Sequence, residues 1–387
     1  AAGRAIPEGR SMTLTLTDLF CGAGGSSTGA IAVPGVNVRI AANHWDIAIA
    51  IHNANHPETD HAAVDLHQEN PRFFPRTDIL WASPECFTAG HLVTTAHGQV
   101  PIEDITVGDM VLTHKGQWRR VTRTQQRQAQ TVIVKGQGHP GIETTATHKF
   151  WLRDSHLAWK GRKDQYKRVY GEPGWAPIET APTSEALWAT PATIAALAYR
   201  ELPAIFGTDQ TAAWWLVGRW LGDGSLSFGN NSEVVITCGN HEADELEQRL
   251  TNTGARWARY QKRTAVVFST WDKAARDWMH SNFGHGAAGK QIPSWALTAP
   301  REHREALLAG YFSADGYENT LTHGVQRNIS TVSRKLAVSA RLLAESLGHR
   351  TALVTDKRDT YSIEGRTLAA RPQFRITWNP NPSPRRS

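Results

Sequence analysis

A chain of 387 residues with 42 Lys+Arg against 36 Asp+Glu carries a net charge of +6 on a 40% hydrophobic composition. At roughly 100–200 residues per domain, that length predicts two or three domains, each with its own core, and it excludes disorder and collagen-like repetition. No apolar run of 18 residues occurs and the opening AAGRAIPEGRSM lacks an apolar signal-peptide core, so the expectation is a soluble, unexported, cytoplasmic chain that crosses no membrane. The three cysteines, Cys21, Cys86 and Cys238, are too few and too scattered for a disulfide framework or a four-cysteine zinc site. They suit a reducing compartment and leave room for a nucleophile. The basic balance and 15 Trp suit a polyanionic partner, although a charge of this size is also ordinary solvation.

Residues 14–20, LTLTDLF, read as a buried strand that runs into the turn Cys21-Gly22-Ala23-Gly24-Gly25 and the helix-compatible STGAIAV, the opening of a βαβ unit. A second strand over 36–42, a helical IAIAIHNAN and a third apolar run over 78–82 follow, and the last ends at Ser83-Pro84. The first 85 residues therefore predict a partial parallel α/β sheet. From Cys86 the pattern changes to short alternating strands between Gly, Asp and Pro, which marks a domain boundary or an insertion. Beyond residue 210 the chain is mixed again and contains a repeat: LVGRWLGDG over 216–224 returns as LAGYFSADG over 308–316. Each copy continues as strand, polar turn, amphipathic helix, glycine stop and a closing strand, TAVVFST in the first and PQFRITW in the second.

A glycine-rich strand-to-helix turn lets backbone N–H groups approach a nucleotide, but the spacing Gly22-x-Gly24-x-x-Ser27 departs from the dinucleotide fingerprint. The longer string DLFCGAGGSSTGA, with ILWASPEC some way on, resembles the first and fourth motifs of DNA cytosine-5 methyltransferases. That resemblance implies a Rossmann-like sheet binding S-adenosylmethionine, with Asp18, Phe20, Gly22 and Gly24 lining its pocket, Trp45 on the adenine and Asp65 at its amino edge. A structural glycine turn is the plainer alternative.

An N-to-S acyl shift needs a thiol beside the peptide to be broken, donors that polarise its carbonyl and an imidazole that protonates the departing nitrogen. The stretch from Cys86 through Val107-Gly108-Asp109 to Thr144-Thr145-Ala146-Thr147-His148 resembles the opening blocks of an intein, the self-splicing insertion built on the all-β Hint fold. The resemblance implies that Cys86 is the nucleophile, His148 the acid and Thr145 an orienting partner.

Each repeat places small residues, Gly218 and Gly222 or Gly310 and Ala314, on one face of a helix that ends in Asp-Gly, so two helices can pack closely and bring two carboxylates together. Two carboxylates with phosphate oxygens suit Mg²⁺. The strings resemble the paired motif of LAGLIDADG homing endonucleases, an α+β two-repeat fold. This implies Asp223 and Asp315 as catalytic metal ligands and Lys290 as the lysine that polarises water or stabilises the phosphorane. A basic stretch with Lys160, Arg162, Lys163, Lys167 and Arg168 among Trp159, Tyr166 and Tyr170 fits phosphate contact or a solvated loop equally well.

Together these readings predict a multidomain chain: a methyltransferase portion over 1–85, a Hint half over 86–155, a basic linker over 156–210 and endonuclease repeats over 211–300 and 301–380. The expected partner is double-stranded DNA, cut in a Mg²⁺-dependent reaction by a monomer. A DNA-binding repeat protein with inactive sites, and a plain methyltransferase with an inert insertion, are the rival readings. The only His-Asn dipeptide, His52-Asn53, precedes Cys86, so self-splicing is expected to need further intein and methyltransferase segments.

Overall fold

The computed structural model describes residues 13–43, 45–64, 69–82, 86–126, 128–136, 138–145, 148–153, 155–159, 166–177, 187–188, 193–228, 232–254, 256–321, 324–356, 360–363, 366–369 and 371–380. The chain divides into two compact units, one of residues 1–86, 145–149 and 176–181, the other of residues 87–144, 150–175 and 182–387. No helix among the described residues is long and apolar enough to cross a membrane.

The first unit is an α/β layer. Strand β1 (Leu14–Leu19) leads through the glycine turn into the short helix α1 (Gly25–Ile31), followed by β2 (Val36–Asn43), α2 (Asp46–Asn55), β3 (Asp60–Ala63) and β4 (Ile79–Ala82). These strands form one parallel sheet in the order β3-β2-β1-β4. Because β1 has a neighbour on each side, Leu16, Thr17 and Asp18 are all buried. Helix α2 turns Ala48 and His52, one turn apart, towards the sheet.

The second unit opens with β5 (Leu92–Thr95), β6 (Gly98–Pro101), β7 (Met110–Leu112) and β8 (Trp118–Arg120), an antiparallel sheet ordered β6-β5-β7-β8. A hairpin of β9 (Val132–Gly136) and β10 (His139–Thr144) follows. Then come β11 (Lys149–Arg153), the hairpin strands β12 (Ser155–Trp159) and β13 (Tyr166–Tyr170), β14 (Gly174–Pro177) and β15 (Leu187–Trp188). The abrupt change of pattern after residue 86 is thus a change from a parallel sheet to antiparallel hairpins.

The repeat is visible element by element. Copy one is α3 (Gln210–Asp223), β16 (Gly224–Ser227), β17 (Glu233–Gly239), α4 (Ala243–Asn252), β18 (Ala258–Gln261) and β19 (Ala265–Trp271), closed by α5 (Lys273–Phe283). Copy two is α6 (Arg301–Asp315), β20 (Gly316–Leu321), β21 (Gly324–Thr331), α7 (Arg334–Ser346), β22 (Thr351–Asp356), the hairpin β23 (Thr360–Ile363) and β24 (Arg366–Ala369), and β25 (Gln373–Trp378). The two sheets, β16-β17-β19-β18 and β20-β21-β25-β22, share the same antiparallel order up to the inserted hairpin.

Their core centres on α3 and α6. Asp209 caps α3 by accepting the Thr211 and Ala212 N–H groups, worth about 1 kcal/mol. Trp214, Leu216, Val217 and Trp220 of α3 pack with Leu307, Leu308 and Tyr311 of α6 and with Leu336, Ala340 and Leu343 of α7. Each fully buried large apolar side chain contributes about 1.5–3 kcal/mol.

Candidate catalytic sites

The helix pair crosses so closely that its glycines are sterically required. A Cβ on Gly218 would lie 2.2 Å from the Leu307 carbonyl oxygen, and one on Gly310 would lie 1.9 Å from that of Trp215. Interdigitation at this separation carries the two C-terminal aspartates to the same end of the pair. Asp223 is half-buried, and burial pushes its carboxyl upwards. Asp315 keeps a solvent-exposed edge, which screens it, yet its dense surroundings and then the charge of Asp223 push it up to about 6.

Between them in chain order, Lys290 is buried beneath the end of α3. Its ammonium donates to the carbonyls of Trp220 (2.9 Å), Leu221 (2.9 Å) and Gly224 (2.8 Å) and lies 4.6 Å from the Trp220 ring. The Leu221 carbonyl is one that a helix C-terminus leaves without an intrahelical donor, and a cation there also meets the negative end of the helix dipole. Burial lowers Lys290 to about 8, against the pull of Asp315 and Asp223.

Sequence reasoning missed Arg219. Its guanidinium, 5% exposed, lies 2.9 Å from Asp223 Oδ2 and 2.5 Å from Glu242 Oε2, and it also donates to the Ser313 carbonyl of α6 at 2.5 Å. The spacing of four residues on one helix could have paired Arg219 with Asp223; nothing in the sequence pointed to Glu242 or Ser313. At the matching position of the second copy stands Tyr311, fully buried. The duplicated carboxylates therefore have unequal surroundings, one with a guanidinium and one without.

As a cation site, the end of the pair offers two hard-oxygen carboxylates, Asp223 being paired also to Arg219, while the Lys290 ammonium is engaged by backbone carbonyls. Among the described residues, no group of three or more His, Cys, Asp and Glu side chains is arranged to hold a metal. The two carboxylates fit Mg²⁺ when phosphate oxygens complete its shell.

The second site lies in the first unit. The Cys86 N–H donates to Thr145 Oγ1 at 3.1 Å, and the Thr145 N–H donates back to the Cys86 carbonyl at 3.1 Å. The His148 N–H donates to the Thr145 carbonyl at 3.1 Å. Thr145 is buried and Cys86 half-buried. Burial lowers His148 to about 4, so its imidazole is neutral at pH 7. Cys86 and Thr145, 59 residues apart in sequence, are thus joined by a reciprocal pair of hydrogen bonds, with His148 bonded in turn to the Thr145 backbone.

The glycine turn is the third site. Phe20 (φ 60°), Gly22 (φ 54°) and Gly24 (φ 103°) all adopt left-handed backbone conformations. Gly24 is further constrained because a Cβ would lie 2.7 Å from His56 Cδ2. No atom lies within 4 Å of a Cβ position on Gly22 or Gly25, so the turn is open on that side. Asp18 faces inward: fully buried, it accepts from Ser26 Oγ (2.6 Å) and Ser27 Oγ (2.7 Å), and burial raises its pKa. Its Oδ1 is buried without a hydrogen bond. Trp45 is half-buried at the start of α2, with the Lys149 ammonium 4.5 Å from its ring. Asp65 lies outside the described residues, as do Lys160, Arg162 and Lys163 of the basic stretch. Of that stretch, Trp159, Tyr166 and Tyr170 are exposed.

Residues 14–89 match the C-5 cytosine-specific DNA methylase family, residues 85–141 the Hint domain and residues 302–372 the LAGLIDADG-like domain. Among curated proteins, the chain is 26% identical over 330 residues to the ATP-dependent DNA helicase Hel308 of Thermococcus kodakarensis, covering 71% of this chain and 28% of that protein. It is 23% identical over 332 residues to an iron-sulfur cluster assembly SufBD family protein of Mycobacterium leprae, covering 77% of this chain and 36% of that protein. The chain therefore spans well under half the length of either relative. A crystal structure of I-DmoI in complex with DNA and Ca is similar at 15% identity and a TM-score of 0.32, covering 44% of this chain and 83% of that one. The chain thus carries, in order, stretches that match a C-5 cytosine-specific DNA methylase, a Hint domain and a LAGLIDADG-like domain.

Proposed function

We propose that the chain carries part of a DNA cytosine-5 methyltransferase, interrupted from Cys86 onwards by a splicing element that carries a homing endonuclease. The observation that carries this reading is the junction itself. The methylase and Hint matches meet at residues 85–89, where the parallel sheet gives way to antiparallel hairpins. The relatives support it from another direction: a helicase and an iron-sulfur assembly protein have unrelated activities, and each shares only part of its length with this chain. A mobile insertion found in unrelated hosts accounts for that pattern.

In the splicing half, the Cys86 sulfur attacks the carbonyl carbon of residue 85. A C–S bond forms, the C–N bond to Cys86 breaks, and the thiol proton ends on the freed Cys86 amine. Thr145 Oγ1 accepts the hydrogen of the nitrogen that departs. His148, neutral at pH 7, relays the thiol proton, taking it up on one ring nitrogen and giving one from the other to the departing nitrogen as the bond breaks.

In the endonuclease half, Asp223 and Asp315 would hold Mg²⁺, which when bound would supply charge stabilisation to the phosphate under attack. Lys290 fixes the end of α3, and so the approach of Asp223, while keeping a positive charge near both carboxylates. In the methylase portion, Phe20, Gly22 and Trp45 would hold S-adenosylmethionine, which supplies the methyl group. Asp18, sealed beneath Ser26 and Ser27, shapes the turn from below.

The test is a plasmid bearing the host coding sequence with the insertion removed, incubated with the purified chain and Mg²⁺. Linearisation that EDTA prevents, and that Asp223→Asn and Asp315→Asn each abolish while DNA binding persists, is the expected result. Linearisation by the double Asn variant at the wild-type rate would exclude the assignment.

A further inference from the structure

The chain segment that begins at Cys86 is gripped by the second acidic repeat. Gly90, in the left-handed region at φ 81°, donates its N–H to Glu103 Oε2 at 2.7 Å, and its carbonyl accepts from Arg334 Nη1 at 2.6 Å. Arg334 is the first residue of α7. Its neighbour Ser333, completely buried, donates its hydroxyl to the Lys290 carbonyl at 2.6 Å and accepts the Leu336 N–H. The first turn of α7 therefore holds both the Gly90 turn and the segment of Lys290. Two further bonds tie the same hairpin to that segment: Ser294 Oγ donates to the Thr95 carbonyl at 2.6 Å with both residues buried, and the Gln99 N–H donates to Gln291 Oε1 at 3.2 Å.

His91 carries the grip back towards Cys86. Its Nδ1 lies 2.9 Å from the Thr88 carbonyl, which can only accept, so Nδ1 bears the hydrogen and Nε2 accepts the Glu143 N–H at 3.1 Å. Thr88 is thereby bound to Glu143, beside the antiparallel bridge between Phe87 and Thr144. The next residues along both strands are Cys86 and Thr145, which exchange the two bonds described above.

We infer that Arg334, a residue of the endonuclease repeat, is a positioning residue for the acyl shift at Cys86: it fixes the Gly90 turn, His91 then locks Thr88 against Glu143, and the register of Cys86 on Thr145 follows. The inference rests on the splicing reading of Cys86.

Two readouts on the full chain test it. In Arg334→Ala, amide hydrogen exchange over residues 86–91 should quicken about fivefold, and release of residues 1–85 by a strong thiol should slow about fivefold, the scale of one lost charge-assisted hydrogen bond. Arg334→Lys, which keeps a cationic donor, should recover most of both, while exchange in α3 and α6 stays at the wild-type rate. Ser294→Ala, which removes a separate bond to the same hairpin, should quicken exchange over residues 92–101. Wild-type exchange and release in Arg334→Ala would overturn the role of Arg334. Absence of thiol release from the wild-type chain, with exchange still responding to Arg334→Ala, would instead overturn the splicing reading and the catalytic role built on it.

Discussion

Gly222 lies directly against Ala314 at the end of the helix pair: a Cβ on Gly222 would come 2.3 Å from the Ala314 Cβ and 3.0 Å from Asp315 Oδ2. The spacing of the two acidic helix ends is therefore set by an absent methyl group. Gly222→Ala should separate the ends and reduce DNA cutting far more than DNA binding. Gly218→Ala, which meets the Leu307 backbone at 2.2 Å, should cost about 3 kcal/mol of stability or more. Gly29→Ala, with nothing within 4 Å, is the control and should be neutral or slightly stabilising. Urea denaturation of the three variants checks the ranking.

The raised carboxyl of Asp315 gives a pH signature. Burial and the charge of Asp223 hold it at about 6, above the ordinary 3.8, so the native state keeps a proton that the unfolded state loses. Stability of the metal-free chain should then fall as pH rises from about 4 to about 6, and Asp315→Asn should flatten that slope. Cutting in Mg²⁺ needs the ionised form and should rise over the same interval in the wild type. A pH–stability profile identical in wild type and Asp315→Asn would refute the coupling.

Much of this was legible in the sequence, and the boundary of what was not has a physical cause. The duplicated Asp-Gly helix ends could be read because helix periodicity and small residues lie within nine consecutive positions. The strands around the glycine turn could be read for the same reason, since β1, β2, α2 and β4 each carry their own local pattern. Arg219 escaped although Asp223 stands one helical turn away, because its other partners, Glu242 and Ser313, are 23 and 94 residues away and leave no local pattern. Lys290 was named from the sequence, but its attachment to the carbonyls of Trp220, Leu221 and Gly224 was not legible there, because backbone acceptors are invisible in side-chain identity. The inward turn of Asp18 onto Ser26 and Ser27 was equally hidden.

Those carbonyls make Lys290 a structural group as well as a candidate catalytic one. Lys290→Met keeps the volume of the stem but leaves several buried acceptors without a donor, each worth about 1–3 kcal/mol. The expected result is a loss of about 3 kcal/mol in urea denaturation together with loss of cutting. A stable, inactive Lys290→Met protein would show that the ammonium acts in chemistry alone.

Burial holds His148 at about 4 rather than the ordinary 6.5, so the native state excludes a proton that the unfolded state takes up below about pH 6.5. Its contribution to stability is complete above that pH and is lost as pH falls towards 4. His52, lowered to about 4 by burial and by His61, adds a loss of the same sign in the same unit. Comparing denaturation midpoints at pH 7.5 and pH 5 should show a smaller drop in His148→Gln than in the wild type. An equal drop would place the imidazole in solvent.

The central claim is that an inserted element begins at Cys86, and mass spectrometry of the purified chain after incubation with a strong thiol tests it most directly. The account predicts a fragment of residues 1–85 ending in a thioester, its complement beginning at Cys86, and neither product from Cys86→Ala. Transfer of a labelled methyl group to DNA by the intact chain, abolished by Cys86→Ala and unaccompanied by thiol release, would contradict it by making Cys86 the methyltransferase's own nucleophile.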